Sequence, residues 1–396
     1  MRDSSPRPAS SRALVRLLGV AVGVTAANLY YAQPLADAIA RDLHGSAADV
    51  GTALTLTQIG YTLGMIVLVP LGDGRERRGT IVATAAAAVG ALLFFSTARS
   101  MPSLQLASVL IGVASSVVQM MVPYAVSLGS PPERGRIVGT VMAGLLTGIL
   151  LSRTASGIVG QALGWRSMYW IAAGAMATLT VTLHLVLPTQ RPAEPLPWIV
   201  ILRSLRQVFL SQPVLRRHAL VGALGMASFS VFWSMLSFHL ATIGHGSAVA
   251  GMFGIIGVVG VVAGPVAGRL AVRTPPARIN VLGLGAVTAA FVVFFLGAHS
   301  LIAIGIGVVL LDVGVQSSHL ANQTAIYGLS SGLRNRLNAL YMVSYFLGGS
   351  VGTFGASTMW ARHGWPAVCA LGATFALLGI LPLLGELGSR NETSVR

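Results

Sequence analysis

Residues 134–165 read RGRIVGTVMAGLLTGILLSRTASGIVGQALGW, and residues 334–365 read RNRLNALYMVSYFLGGSVGTFGASTMWARHGW. Each stretch opens on two arginines with one residue between them, runs apolar, and closes on Gly-Trp. A shift of 200 residues pairs Arg134 with Arg334, Arg136 with Arg336, Met142 with Met342, Gly148 with Gly348, and Gly164-Trp165 with Gly364-Trp365. About 20 consecutive apolar residues are what a membrane-spanning helix needs, so each stretch is predicted to be a span. The pairing puts six spans between equivalent positions. A parallel repeat of six-helix halves, related by an axis along the membrane normal, lets two bundles rock about a central site.

The rest of the chain is of the same kind. Of its 396 residues, 54% are hydrophobic and 9% charged, with a mean hydropathy of +0.76; a soluble domain carries about 25% charged residues. Apolar windows fall at roughly 17–40, 50–72, 79–98, 102–129, 136–163, 167–187, 218–242, 248–270, 279–298, 301–328, 337–361 and 366–385. The expected fold is an all-α membrane protein of twelve transmembrane helices in two pseudo-symmetric six-helix bundles. Its expected parts are an N-terminal bundle over 1–187, a cytoplasmic linker over 188–217 and a C-terminal bundle over 218–396. No separate soluble domain fits.

The formal charge of +15 does not point to nucleic acid, because the basic residues sit between apolar runs and not on one face. All 26 are arginines, which reflects base composition more than mechanism. The single cysteine, Cys369, lies in an apolar run and excludes a disulfide framework or a cysteine metal site. No metal or cofactor is expected. Arg2, Arg7, Arg12 and Arg16 precede an apolar stretch that continues past Asn28 to Ala40 without a cleavage site, so it reads as the first span and not as a signal peptide.

With a cytoplasmic N-terminus, the cytoplasmic loops receive Arg75, Arg77 and Arg78; Arg134 and Arg136; Arg191, Arg203, Arg206, Arg216 and Arg217; Arg269, Arg273 and Arg278; and Arg334 and Arg336. The opposite loops receive Arg41, Arg99, Arg166 and Arg362. That asymmetry predicts both termini in the cytoplasm and a multi-pass protein of the cell inner membrane. In the linker, Trp198, Ile199, Ile201, Leu202, Leu205 and Phe209 recur at helical spacing, which suits a short amphipathic helix on the membrane surface. A flexible linker is the alternative.

The run Val69-Pro70-Leu71-Gly72-Asp73-Gly74-Arg75-Glu76-Arg77-Arg78, with a partial copy at Gly264-Pro265-Val266-Ala267-Gly268-Arg269, resembles the loop motif of the major facilitator superfamily. That motif usually reads Gly-x-Leu-Ala-Asp-Arg-x-Gly-Arg-Arg. Leu71, Asp73, Arg77 and Arg78 keep the pattern; both glycines and the first arginine are replaced. The resemblance covers essentially the whole chain and is closest to the bacterial drug–proton antiporter and sugar-efflux branches. It implies a cytoplasmic gate in which Asp73 pairs with Arg77, Arg78, Arg269 or the positive end of a helix in one state only. The same charges could instead do no more than mark topology.

Ionisable groups within a bilayer are costly and usually functional. In the tenth window Asp312, Gln316, His319 and Gln323 recur at intervals of four, three and four and share one helical face. By resemblance, spans one, four, seven and ten line the central cavity, so the stripe would face the solute. Gln316 and Gln323 could equally bind a neighbouring helix. Arg153 and Asp312 lie about ten and eleven residues from the same membrane face, each roughly 15 Å deep. Equal depth and opposite charge, in different halves, make them a candidate pair. Asp312 is expected to be the proton-coupling carboxylate and Arg153 its partner in one conformation, so that rocking releases and captures a proton. His319 could share the proton or be a packed neutral side chain.

Asn28 and Tyr31 share a face in span one, with Pro34 a kink, and are expected to contact solute; tyrosines can instead be interface anchors. Ser115 and Gln119 in span four, and Ser230, Trp233 and Ser237 in span seven, are further candidates for solute contact or for packing. The glycines of spans eight and eleven are expected to form sliding contacts between halves.

Two departures from the resemblance stand out. Ser108 occupies the place of the family's fourth-span arginine, and Leu151-Ser152-Arg153-Thr154-Ala155-Ser156-Gly157 replaces the antiporters' Gly-Pro-x-x-Gly-Gly. Arg153 could substitute for the missing arginine. The expected function is secondary active transport of a small organic solute by alternating access, as proton-coupled efflux by a monomer; a proton-coupled uptake symporter or a uniporter of a small metabolite is the alternative. With no HExxH, no GxSxG and no histidine pair at ligand spacing, an enzyme is not expected.

Overall fold

The computed structural model describes residues 8–190, 198–257, 274–330 and 333–385, and the elements among them are helices. Among the described residues, ten helical segments are long and apolar enough to cross a membrane. α4 (Arg77–Ser96), for example, has 20 residues, which at 1.5 Å per residue matches a hydrocarbon core about 30 Å thick. Large apolar side chains such as Leu185, Leu296 and Ile302 point outward, more than 70% exposed, as a lipid-facing surface requires.

One span is broken near its middle. α1 (Pro8–Ala27) and α2 (Ala32–Asp42) together make the Arg12–Asp42 span, interrupted at residues 28–31. Pro34 has no N–H to offer the Tyr30 carbonyl four residues back. The Gln33 amide donates to that carbonyl instead, at 3.2 Å, and the chain bends just ahead of the proline. α5 (Met101–Ser115) and α6 (Val118–Ser127) form the Met101–Ser127 span with a similar interruption.

The two Gly-Trp pairs take up equivalent structures. Gly164, at φ 85°, separates α7 (Arg134–Leu163) from α8 (Trp165–Val186). Gly364, at φ 67°, interrupts α14 (Arg334–Ile380). Positive φ costs glycine little and other residues much. The tryptophan that follows closes each break: Trp165 packs edge-on to Phe95 at 5.9 Å, and Trp365 stacks on His239 at 3.9 Å while its Nε1 donates to Phe294 O at 3.0 Å.

Helix contacts recur at the same 200-residue shift. α1 and α7 approach so closely that a methyl group on Gly148 would overlap Gly23 O, and on α14 a methyl group on Gly348 would overlap Ala223 O of α10 (Pro213–Thr242). A second pair of contacts joins helices before residue 190 to helices after residue 213. Gly157 of α7 meets Gly251 of α11 (Ser247–Ile256), and Gly51 of α3 (Ala47–Gly74) meets Ser357 of α14. The shift carries one of these contacts onto the other. Asp37 N donates to Ser237 Oγ at 3.4 Å, joining a residue to its own equivalent and so marking the pseudo-twofold axis. Glycine-mediated approach of this kind is how helices associate without a hydrophobic drive.

Hydrogen bonds across the same boundary gather at one end of the molecule, near the loops at 43–46 and 243–246. Gln58 Nε2 donates to Thr353 Oγ1 at 2.9 Å, Thr154 Oγ1 to Gly251 O at 3.0 Å, Ser237 Oγ to Pro34 O at 2.9 Å and Ala248 N to Gln161 Oε1 at 2.9 Å. These bonds and the glycine contacts make a seal. At the other end, α9 (Trp198–Ser211) buries Val208 beside Leu215 and Tyr341. The expected eighth span at 248–270 is described as far as residue 257; the remainder lies outside the described residues.

Gly148→Ala is expected to lower stability by about 1–3 kcal/mol through overpacking against Gly23. Gly90→Ala, where an added methyl meets nothing within 4 Å, is expected to leave stability unchanged or slightly raised. Thermal unfolding of both variants in detergent checks the contrast.

Candidate functional site

Arg153 sits on α7 just inside the seal and is 2% exposed. A charge there must be compensated by partners, because desolvation costs several kcal/mol. Its Nε donates to Gln33 Oε1 at 2.9 Å, and the bend at 28–31 presents Tyr30 to it. The guanidinium carbon lies 4.0 Å from the Trp233 ring centroid and 4.8 Å from that of Tyr30. Cation–π contact of this kind is worth ~2 kcal/mol or more when desolvated. Trp233, from α10, is 2% exposed.

Asp312, on α13 (Leu301–Tyr327), lies beside the same indole and within electrostatic reach of Arg153. Trp233 Nε1 is directed at the carboxylate. Arg153 Nη2 and Asp312 Oδ1 are both buried and lack hydrogen-bond partners, so the two charges act on each other across the gap without pairing. The glycine face of α11 fits beside both residues: a methyl group on Gly254 would lie 2.9 Å from Arg153 Cβ, and one on Gly257 2.7 Å from Asp312 Oδ2. The two residues singled out at equal depth are therefore brought to one place, with Trp233 close to both.

The other candidates are distributed around this centre. Gln316, His319 and Gln323 continue the α13 face and are half-buried. His319 Nδ1 shares a hydrogen bond with Tyr341 Oη at 2.9 Å, and its ring packs on Tyr345 at 4.8 Å. Gln119 Nε2 donates to Tyr61 Oη at 3.0 Å, and Tyr61 in turn packs on Phe346 at 4.6 Å. Ser115 is fully buried, with its Oγ unpartnered. Asn28 is 3% exposed, and neither its Oδ1 nor its Nδ2 has a partner. Tyr31 turns into the core against Tyr169, at 6.3 Å, and it is Tyr30 that meets Arg153. Ser237 binds the seal, and Ser230 lies beside Gly349.

At the opposite end, Glu76 caps α4, its carboxylate accepting from Arg78 N at 2.7 Å and Gly79 N at 2.6 Å. Arg78 Nη2 donates to His184 O, so it engages the negative C-terminal end of α8, another helix before residue 190. Arg77 N donates to Gln190 O at 3.0 Å. The Asp73 side chain and the whole of Arg269 lie outside the described residues.

Sequence patterns alone did not single out Gln33 or Tyr30. A buried arginine demands an acceptor, and Gln33, the one amide on the bent span beyond Asn28, was the available signal.

The family model described as Major Facilitator Superfamily matches residues 18–353, and 380 residues are 39% identical to the putative uncharacterized transporter YgaY of Escherichia coli (strain K12), covering 96% of each chain. The chain belongs to the Major Facilitator Superfamily. It is also 31% identical over 378 residues to the probable transporter SCO4007 of Streptomyces coelicolor, covering 94% of this chain and 87% of that one. Among solved structures, a bacterial homologue of the human lysosomal transporter Spinster, in an inward-facing and occupied conformation, superposes with a TM-score of 0.79. It shares 14% identity and covers 97% of this chain and 98% of that one. As a major facilitator protein, this chain is a multi-pass membrane transporter of a small solute and not an enzyme.

Gln33→Leu is expected to lower stability by about 1–3 kcal/mol, the penalty of leaving a buried donor unmet. The double variant Gln33→Leu with Arg153→Met should recover it by removing the charge as well. Thermal unfolding of the single and double variants in detergent is the measurement.

Proposed function

We propose that this protein exports a small organic solute across the cell inner membrane by proton-coupled alternating access, working as a monomer of twelve spans in two six-helix bundles. The parts would be residues 1–187, a linker at 188–217 and residues 218–396. Three features support that count: ten described spans, the break at Gly364 that divides the last of them, and the apolar α11 that begins another. The arginine distribution supports cytoplasmic termini. On that orientation the seal is periplasmic and the described arrangement is closed to the outside.

The observation that carries the mechanism is the unpaired opposition of Arg153 and Asp312 beside Trp233. One charge comes from a helix before residue 190 and the other from a helix after residue 213. Opening the seal changes their separation, because Thr154, next to Arg153, is bonded into it. Asp312 would take a proton in one state and give it up in the other. His319 would assist through its position about two helical turns along α13. Asn28, Ser115, Gln119, Trp233, Gln316 and Gln323 would contact the solute, and Asp73, Arg77, Arg78 and Arg269 would close the cytoplasmic end.

Inverted membrane vesicles, loaded with a pH-quenched dye and challenged with amphiphilic cations, sugars and amino acids, test the proposal. Solute is expected to drive proton movement in the wild type. Asp312→Asn and Arg153→Ala should each reduce it to background. Unaltered coupling in Asp312→Asn would rule out this carboxylate as the coupling group, and solute movement in the proton's own direction would make the protein a symporter.

A further inference from the structure

The side chains around Trp233 leave an unusual set of hydrogen-bonding atoms unmet. Arg153 is fixed on one side by Gln33 and on its faces by Trp233 and Tyr30, which leaves Nη2 as a spare donor. Asp312 Oδ1 is a spare acceptor, and Trp233 Nε1 points at the same carboxylate. Native interiors leave few such groups unsatisfied, and each calls for a partner.

The charges narrow what that partner is. A solute with a lone positive charge would meet Asp312 but also face Arg153, and a lone negative charge would meet the reverse. Like-charge approach in a dry site is strongly disfavoured. A planar guanidinium held by its faces is suited to a carboxylate. We infer that the site takes a small zwitterion, with its carboxylate on Arg153 Nη2 and its ammonium group on Asp312 Oδ1. Trp233 Nε1 supplies a further donor. The rings of Tyr30, Trp233 and Phe229, the last 5.6 Å from the guanidinium, give the solute's side chain aromatic walls. An aromatic α-amino acid has this chemistry.

This inference rests on the proposed transport function and sharpens it. The ammonium group and a proton would claim the same carboxylate, so one excludes the other and exchange follows without any further device.

A charge series on one scaffold tests it with the purified full-length protein. L-phenylalanine carries both charges, its methyl ester only the ammonium, N-acetyl-L-phenylalanine only the carboxylate, and 3-phenylpropanamide neither. Tryptophan fluorescence titration is expected to give L-phenylalanine a dissociation constant at least about tenfold lower than any of the others, a difference of 1.4 kcal/mol. Arg153→Gln should erase its advantage over the ester, and Asp312→Asn its advantage over the N-acetyl form. The wild-type series stands even where a variant folds poorly. A singly charged analogue that binds as tightly as L-phenylalanine would overturn the inference. So would coupled transport of another solute by protein that does not bind L-phenylalanine, a result that leaves the transport proposal intact. L-phenylalanine bound as expected without solute-driven proton movement would support the site and sink the proposed coupling.

Discussion

A positive charge buried beneath a seal between two sets of helices is the constraint on which the rest of this structure depends. Arg153 cannot reach water from its position, so its charge must be answered by protein groups. Gln33 and the ring of Tyr30 come, like Arg153 itself, from helices before residue 190. The others, the face of Trp233 and the field of Asp312, come from the helices after residue 213. The stability of the charge is therefore tied to how the two sets sit against each other, and a change in one must be felt by the other. That linkage is what a coupled transporter requires.

The seal is made largely of small residues. Its contacts are glycine against backbone at Gly157–Gly251 and small residue against glycine at Gly51–Ser357, supplemented by a few hydrogen bonds from Gln58, Thr154 and Ser237. Larger side chains also meet across the boundary, where Tyr61 of α3 packs on Phe346 of α14 at 4.6 Å. The contacts inside each set, Gly148 on Gly23 and Gly348 on Ala223, obey the same 200-residue shift. The chain thus uses one geometry twice within the sets and another twice between them, as expected of a duplicated unit whose two copies face each other about the Asp37–Ser237 contact.

Much of this was legible in the sequence, because membrane spans impose long-range rules on composition. Apolar windows located the helices, and the paired Gly-Trp motifs located two breaks that the structure makes with positive φ. Asp312 and Arg153 stood out because charge is rare within a bilayer, and depth counting from the helix ends put them level. Periodicity failed at Tyr30 and Tyr31. It assumed a continuous helix, whereas the chain leaves the helix for one turn at residues 28–31, which swings Tyr30 to the charge and Tyr31 into the core. The roles of Gln33 and Trp233 as the cradle of Arg153 depend on three helices meeting, which no single-span pattern contains. His319 followed the α13 stripe as expected, yet its hydrogen bond goes to Tyr341 on a neighbouring helix, a detail set by packing.

The central claim is that the protonation of Asp312 decides which end of the transporter is open. Double electron–electron resonance between spin labels at two pairs of exposed loop positions measures this directly: Arg99→Cys with His299→Cys at the sealed end, and Glu133→Cys with Gly328→Cys at the other. In the wild-type background, acidification is expected to lengthen the first distance and shorten the second. With Asp312→Asn the two distances should no longer respond to pH. Distances that ignore pH in the wild type, or that still follow it in Asp312→Asn, would contradict the account.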